Sequence, residues 1–358
     1  MEKTYTSCRK DYPVFYYTHY EVHETASDLA VTYHFEIPGL SSFAPTWCFP
    51  KKTKDTTNWS EDPTLLRTIF SLGMVELVSY WKISCPPKVV VQAGIINETQ
   101  ISWWKKLYYQ GLGEFFYTNG IEADPDTFMD LLCEPSEDTA RISDVFSFTG
   151  SALATDPAAS DCGCLIPVGG GKDSACTIEM LKKSGHPLYT YIINPRGATL
   201  STVKVSGLSE DHSIHVKRTL DKNMLELNRQ GFLNGHTPFS ALVAFSSVIT
   251  ARMYGLKYVA LSNESSANES TVAGSTVNHQ YSKSFEFEQD FHKYEKDWLG
   301  SGVYYFSMLR PLSEFQIAKY FAGATAYHDI FRSCNAGSKQ DIWCGHCPKC
   351  LFVFLILS

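Results

Sequence analysis

Two short segments of this chain carry residue types at spacings that do chemistry. The first is VGGGKDS, Val168 to Ser174, which follows an apolar run and opens a helical one. Three consecutive glycines, Gly169, Gly170 and Gly171, let backbone N–H groups approach an anion closely. A helix N-terminus behind them adds free N–H groups and the positive end of the helix dipole. Lys172 supplies a cation and Ser174 a hydroxyl. Asp173 makes sense in a phosphate site chiefly as a Mg²⁺ ligand. The spacing is not that of a Walker A loop, which needs G-x-x-x-x-G-K-[ST]. The bland alternative is a glycine-rich strand-to-helix turn.

The second segment is Cys334 followed by WCGHCPKC, giving C-x9-C-x2-C-x2-C through Cys344, Cys347 and Cys350. Four thiolates so spaced suit a tetrahedral, structural Zn²⁺. A redox pair and unmetallated thiols are the alternatives. His346, between the cysteines, is a substitute ligand at best.

Three further stretches supply weaker candidates. SNESSANE, Ser262 to Glu269, brings Ser262, Asn263, Glu264, Asn268 and Glu269 to the end of an apolar strand, the edge where doubly wound sheets bind ligands. NGHTPFSA places His236 ahead of an apolar helix, where an N-cap turn explains most of the segment. STVNHQYSKSFEFEQDF, Ser275 to Phe291, reads as a loop holding His279, Tyr281 and Lys283 within five residues. Such a loop offers a general base or an anion-binding patch. Arg310 is a further anion-binding candidate.

The elements that must position these residues fall into two parts. Before residue 150, YPVFYYTHYEVHE and LAVTYHFEI read as strands, Thr64 to Ser84 as a helix ended by Pro86–Pro87, and Ile101 to Gly120 as a helix interrupted by Gly-Leu-Gly. Phe146 to Gly163 is small and polar and reads as a linker. From Cys164 the pattern alternates: CLIPVGGG, a helix to Gly185, LYTYIINP, SIHVKRTL, the helix PFSALVAFSSVITARMYG, then LKYVALSNE. That series predicts a C-terminal doubly wound parallel α/β sheet over residues 160–358, preceded by an α+β domain over 1–150. At 358 residues, two domains are the ordinary expectation.

Composition removes other classes. Aromatics reach 14% and charged residues only 19%, which excludes disorder. A net charge of −7 counts against a dedicated nucleic-acid binder. No apolar run is long enough to cross a membrane. The N-terminal MEKTYTSCRKDY lacks an apolar leader core, and the 11 cysteines form no even, spread framework, so the expectation is a cytoplasmic protein.

VGGGKDS resembles the S-G-G-x-D-S loop of the PP-loop ATP pyrophosphatases, with Gly169 where that pattern has Ser. The resemblance implies that Val168 to Ser174 grips ATP, that Asn194 and Arg196 lie beside the adenosine, and that the enzyme joins AMP to an oxygen of its substrate. A similar cysteine arrangement ends some PP-loop enzymes, with structural zinc. VGGGKDS, SNESSANE, NHQYSKSFEFE and WCGHCPKC, together with SLGMVELVSYWK and WWKKLYYQGLGEFFYTNGI, are similar to the MurL family over nearly the whole chain. That family inverts the terminal L-glutamate of UDP-MurNAc-L-Ala-L-Glu, using ATP and Mg²⁺, in peptidoglycan precursor synthesis.

The resemblance implies a small-molecule substrate, no nucleic acid and no membrane, and it leaves the oligomeric state open. It makes His279, Tyr281 and Lys283 the first candidates for the epimerisation base, with Glu264, His236 and the cysteines behind them. Another PP-loop adenylating enzyme (a ligase or a tRNA-modifying sulfurtransferase) or an epimerase of a different peptide is the alternative. The chain ends in CPKCLFVFLILS, inside an apolar run, whereas the family extends further.

Overall fold

The computed structural model describes residues 3–148, 150, 162–268, 280–334, 336–337 and 340–358, and it divides into two compact units. Most of the expected linker, residue 149 and residues 151–161, lies outside the described residues, as do His279 and Glu269. Unit 1 holds residues 1–153 together with 218–249 and 268–301; unit 2 holds 154–217, 250–267 and 302–358. The division expected at 150–160 therefore does not match the contacts, because two later stretches pack with the first.

Unit 1 is built on a mixed sheet. β1 (Val14–Glu24) pairs antiparallel with β2 (Asp28–Ile37) and parallel with β5 (Lys88–Val91), which pairs parallel with β6 (Asp130–Cys133). On the other side β2 pairs antiparallel with β3 (Ser41–Phe43) and β4 (Thr46–Pro50). In β2 alternate residues are buried along nearly the whole strand, the signature of a sheet with one face on the core. Helix Pro63–Trp81 starts with Pro at its first position, and Asp62 caps it by accepting from Leu65 N–H at 2.6 Å. Almost all of its residues are buried.

The aromatic richness explains the composition of the unit. Trp103 and Trp104, on helix Glu98–Gly111, meet Phe245 and Tyr294, with ring centroids 4.5 Å apart for Trp103–Tyr294 and 5.5 Å for Trp104–Phe245. These rings draw the stretches around 245 and 294 into unit 1, because large apolar rings dominate core energetics.

Unit 2 carries the parallel sheet. β7 (Cys164–Pro167), β8 (Leu188–Ile193), β9 (Ser213–Thr219), β10 (Tyr258–Leu261) and β11 (Tyr304–Ser307) run in the order β11-β10-β7-β8-β9, every pair parallel. From β7 the chain adds strands on one side as far as β9, then returns to add β10 and β11 on the other. The order reverses between β7 and β10, and in open α/β sheets ligands bind at the carboxyl ends of the strands flanking such a reversal. Helix Lys172–Leu181 follows β7. Its Ile178 packs with Ile166, Leu188, Ile192 and Val203, while Ala175 and Cys176 face Leu309, Ile317, Phe321 and Val353.

The short strands β5, β6 and β11 are additions to the sequence reading. The stretch expected as a loop through Phe291 is a loop only in part. Ser284 accepts from Phe287 N–H at 3.1 Å and starts helix Phe285–Tyr294. No helix among the described residues is long and apolar enough to cross a membrane.

Candidate functional site

The glycine loop leaves the carboxyl end of β7, and SNESSAN leaves that of β10, so both expected segments flank the reversal of strand order. Gly171 precedes helix Lys172–Leu181 with no side-chain cap, and among the described residues the amides from Gly169 to Ser174 make no hydrogen bond. Ser174 Oγ is turned back onto Gly171 O at 3.0 Å. An uncapped helix start with a run of open amides binds anions.

Gly170 has φ +80°, and a Cβ there would stand 3.0 Å from the backbone of Ala198 and Thr199. The loop therefore packs directly on the start of helix Gly197–Ser206. Gly170→Ala is expected to lower stability by ~1–3 kcal/mol through left-handed strain and that contact. A denaturant midpoint equal to that of the parent protein would refute the tight approach.

Lys172 departs from the expectation of a cation aimed at the anion. Its side chain is fully buried, and its ammonium pairs with Asp173 Oδ1 and, at 2.8 Å, with Glu314 Oε2. Burial alone lowers an ammonium pKa, but the two carboxylates outweigh it and hold Lys172 above its ordinary range. The group is thus a permanent charge that fixes two partly exposed carboxylates. Glu314, absent from the sequence reading, begins helix Glu314–Ala322 behind a capping box of Ser313 and Gln316. The box was legible in the sequence; the partner of Glu314 was not. Two carboxylates sharing one ammonium leave a net negative charge, a donor set that suits a Mg²⁺ keeping several waters.

On the other flank, Arg310 donates to Glu264 O at 2.7 Å and to Ser307 Oγ at 3.2 Å, and Asn263 Nδ2 donates to the same hydroxyl at 3.2 Å. Ser262 Oγ is buried and has no hydrogen-bond partner among the described residues. A buried hydroxyl left open at a strand end suits a ligand group. Glu264 is half-buried and accepts from Ser266 Oγ at 3.2 Å. Asn194, at φ 51°, ends β8 and Arg196 starts helix Gly197–Ser206; both are exposed.

The other expected bases belong to unit 1. His236 and Lys283 are exposed there. Tyr281 is buried and donates to Asp290 Oδ2 at 2.5 Å, while Lys106 reaches Asp290 at 2.6 Å and Glu286 at 2.7 Å. Burial, reinforced by the Asp290 carboxylate, holds the Tyr281 phenol well above its usual range. Tyr281 is thus a protonated phenol whose proton is directed at Asp290. Burial pushes the thiols of Cys164 and Cys176 up to about 12.

The four C-terminal cysteines converge. Sγ separations are 3.9 Å for Cys334–Cys347, 3.8 Å for Cys344–Cys350 and 3.5 Å for Cys347–Cys350. A tetrahedral Zn²⁺ with bonds of about 2.3 Å spaces its sulfurs ~3.8 Å apart, so the donor set fits such an ion. Cys334 Sγ also accepts from Gly337 N at 3.1 Å and Cys344 N at 3.4 Å. Burial raises its pKa, but these N–H groups prevail and lower it, which favours the thiolate. His346 turns Nδ1 to Cys344 O at 2.8 Å and is not among the converging donors.

A family model described as the MurL N-terminal domain matches residues 6–308. That match ends before Glu314 and the cysteines. A protein of Xanthomonas oryzae pv. oryzae named UDP-N-acetyl-alpha-D-muramoyl-L-alanyl-L-glutamate epimerase is 33% identical over 296 residues, 80% of this chain and 61% of its own. One of the same name from Salinispora tropica is 33% identical over 301 residues, 82% of this chain and 62% of its own. The chain thus spans about three fifths of the length of the curated relatives it matches. Among solved structures, a predicted subunit of tRNA methyltransferase from Methanocaldococcus jannaschii is 17% identical, covering 45% of this chain and 74% of its own with a TM-score of 0.29.

Proposed function

The chain belongs to the MurL family, and on that premise we propose that its protein inverts the terminal L-glutamate of UDP-MurNAc-L-Ala-L-Glu at the expense of ATP. The observation that carries the reading is the open-amide glycine loop at the point where the strand order of unit 2 reverses. The fold of unit 2 is then of PP-loop type, and the enzyme a cytoplasmic isomerase of peptidoglycan precursor synthesis.

A Cα–H beside a carboxylate is hardly acidic, because its removal puts a second negative charge on one small group. ATP, when bound, supplies the AMP that masks that carboxylate as an ester-like carbonyl, with pyrophosphate leaving. The chain's own contribution begins with the amides of Gly169 to Ser174, which hold the phosphates. Asp173, with Glu314 beside it, would hold Mg²⁺ against the developing charge of the pyrophosphate. Lys172 keeps both carboxylates in place. Asn194, Arg196, Ser262 and Asn263 line the nucleoside side in this reading. A side-chain base then removes the Cα proton, one is returned on the opposite face, and water cleaves the ester to release AMP and regenerate the carboxylate. His279, Tyr281, Lys283, His236 and Glu264 are the groups to test for that step. The four cysteines would hold Zn²⁺ as a closed, structural site.

The experiment is incubation with ATP, Mg²⁺ and UDP-MurNAc-L-Ala-L-Glu in D₂O, following AMP and then the chirality and Cα deuterium of the glutamate. D-glutamate carrying deuterium, with AMP formed, is the expected result. AMP without inversion would transfer the substrate assignment to another adenylating reaction, a ligase or a sulfurtransferase. No AMP would overturn the reading of the loop.

A further inference from the structure

We propose that Ser333 is a phosphate-binding hydroxyl, carried onto the glycine loop by the four-thiolate knuckle. The inference rests on the reading of the loop as the ATP site and adds a ligand and a means of control to it.

Gly171 starts helix Lys172–Leu181 without a side chain, and the space a side chain would fill is taken from elsewhere. A Cβ on Gly171 would lie 2.8 Å from Ser333 Oγ. The hydroxyl therefore fills space beside the N-cap position, at the start of the helix whose first amides are open. Ser333 is only half-buried, and its Oγ has no hydrogen-bond partner among the described residues. A hydroxyl in that position donates to the same anion that the amides bind.

Its placement comes from the knuckle. Cys334 is the next residue, and its sulfur is held by Gly337, Cys344 and the other thiols. One residue before Ser333, Arg332 N–H donates to Gly170 O at 2.8 Å. Within the segment between Cys334 and Cys344, Asp341 Oδ1 accepts from Ala198 N at 2.9 Å, and Arg332 Nε donates to Asp341 O at 3.2 Å. Ala198 is also the residue against which Gly170 packs. The knuckle thus touches both elements that shape the loop, and a metal ion joining its four sulfurs would clamp Ser333 at the helix start.

The test uses the full chain loaded with zinc and measures the Kd for ATP with Mg²⁺ in the absence of peptide, with zinc content by mass spectrometry. Ser333→Ala is expected to weaken ATP binding about tenfold, the worth of one hydrogen bond to a charged group, with zinc content unchanged. Ser333→Thr, which keeps the hydroxyl, should remain within about twofold of the parent. Removing zinc with a chelator should bring the parent down to the level of Ser333→Ala and leave that variant no weaker than before. A parent that binds ATP while Ser333→Ala binds it equally well overturns this inference alone. So does a variant that loses as much affinity on chelation as the parent does. A parent that binds no ATP overturns the loop reading and this inference with it.

Discussion

Asp173→Asn is expected to reduce AMP formation by about 10²–10³-fold while leaving the protein folded. The loss is that of one preorganised charge at the site where negative charge develops on pyrophosphate. The substitution is nearly isosteric, and its amide oxygen can still accept from Lys172, whose ammonium also keeps Glu314 at 2.8 Å. Replacing Asp173 by Ala is the harsher change, since it removes one of two acceptors from a fully buried ammonium. Turnover should be read over a range of Mg²⁺ concentrations beside far-ultraviolet circular dichroism. A metal ligand raises the Mg²⁺ requirement when lost; a residue that only supports folding does not. Turnover within tenfold of the parent, at every Mg²⁺ concentration, would remove Asp173 from the metal site.

The second large effect concerns stability. Glu76, in the middle of helix Pro63–Trp81, is completely buried and accepts from Arg218 Nη2 at 2.7 Å, from Arg218 Nε at 3.1 Å and from Trp47 Nε1 at 3.3 Å. Burial alone lowers the pKa of Arg218, but Glu76 more than compensates, so the guanidinium stays charged. Glu76→Gln strands that charge inside unit 1 at a cost of about 3–5 kcal/mol. The expected result is a large fall in the denaturant midpoint of the transition that reports on unit 1. Replacing both partners by Met should recover much of the loss, because well-packed apolar residues can replace a buried ion pair at little cost. A single variant within about 1 kcal/mol of the parent would show that the pair contributes little.

Much of this molecule was legible in local sequence. VGGGKDS announced a strand, a tight turn and a helix start, because glycine freedom and helix geometry act over a few residues. The alternation from Cys164 to Glu264 announced parallel strands joined by helices, and C-x9-C-x2-C-x2-C announced four thiols that would meet. Each of these rests on interactions between neighbours in the chain, whose cost in chain entropy is small.

Tertiary structure alone decided who stands beside whom. Lys172 finds Glu314 across 142 residues, and Ala198 finds Asp341 across 143. Nothing in a glutamate that starts a helix names the ammonium it will face. Tyr281 stands near His279 and Lys283 in sequence, but it is the fold that gives its hydroxyl Asp290 as a partner. The stretches 218–249 and 268–301 followed the parallel sheet in sequence but joined unit 1, because Phe245 and Tyr294 complete its aromatic core. Local interactions along the chain set the local shapes and the chemistry available. The fold decided the partners, since burial and long-range pairing depend on how all the elements pack at once and not on any window of the chain.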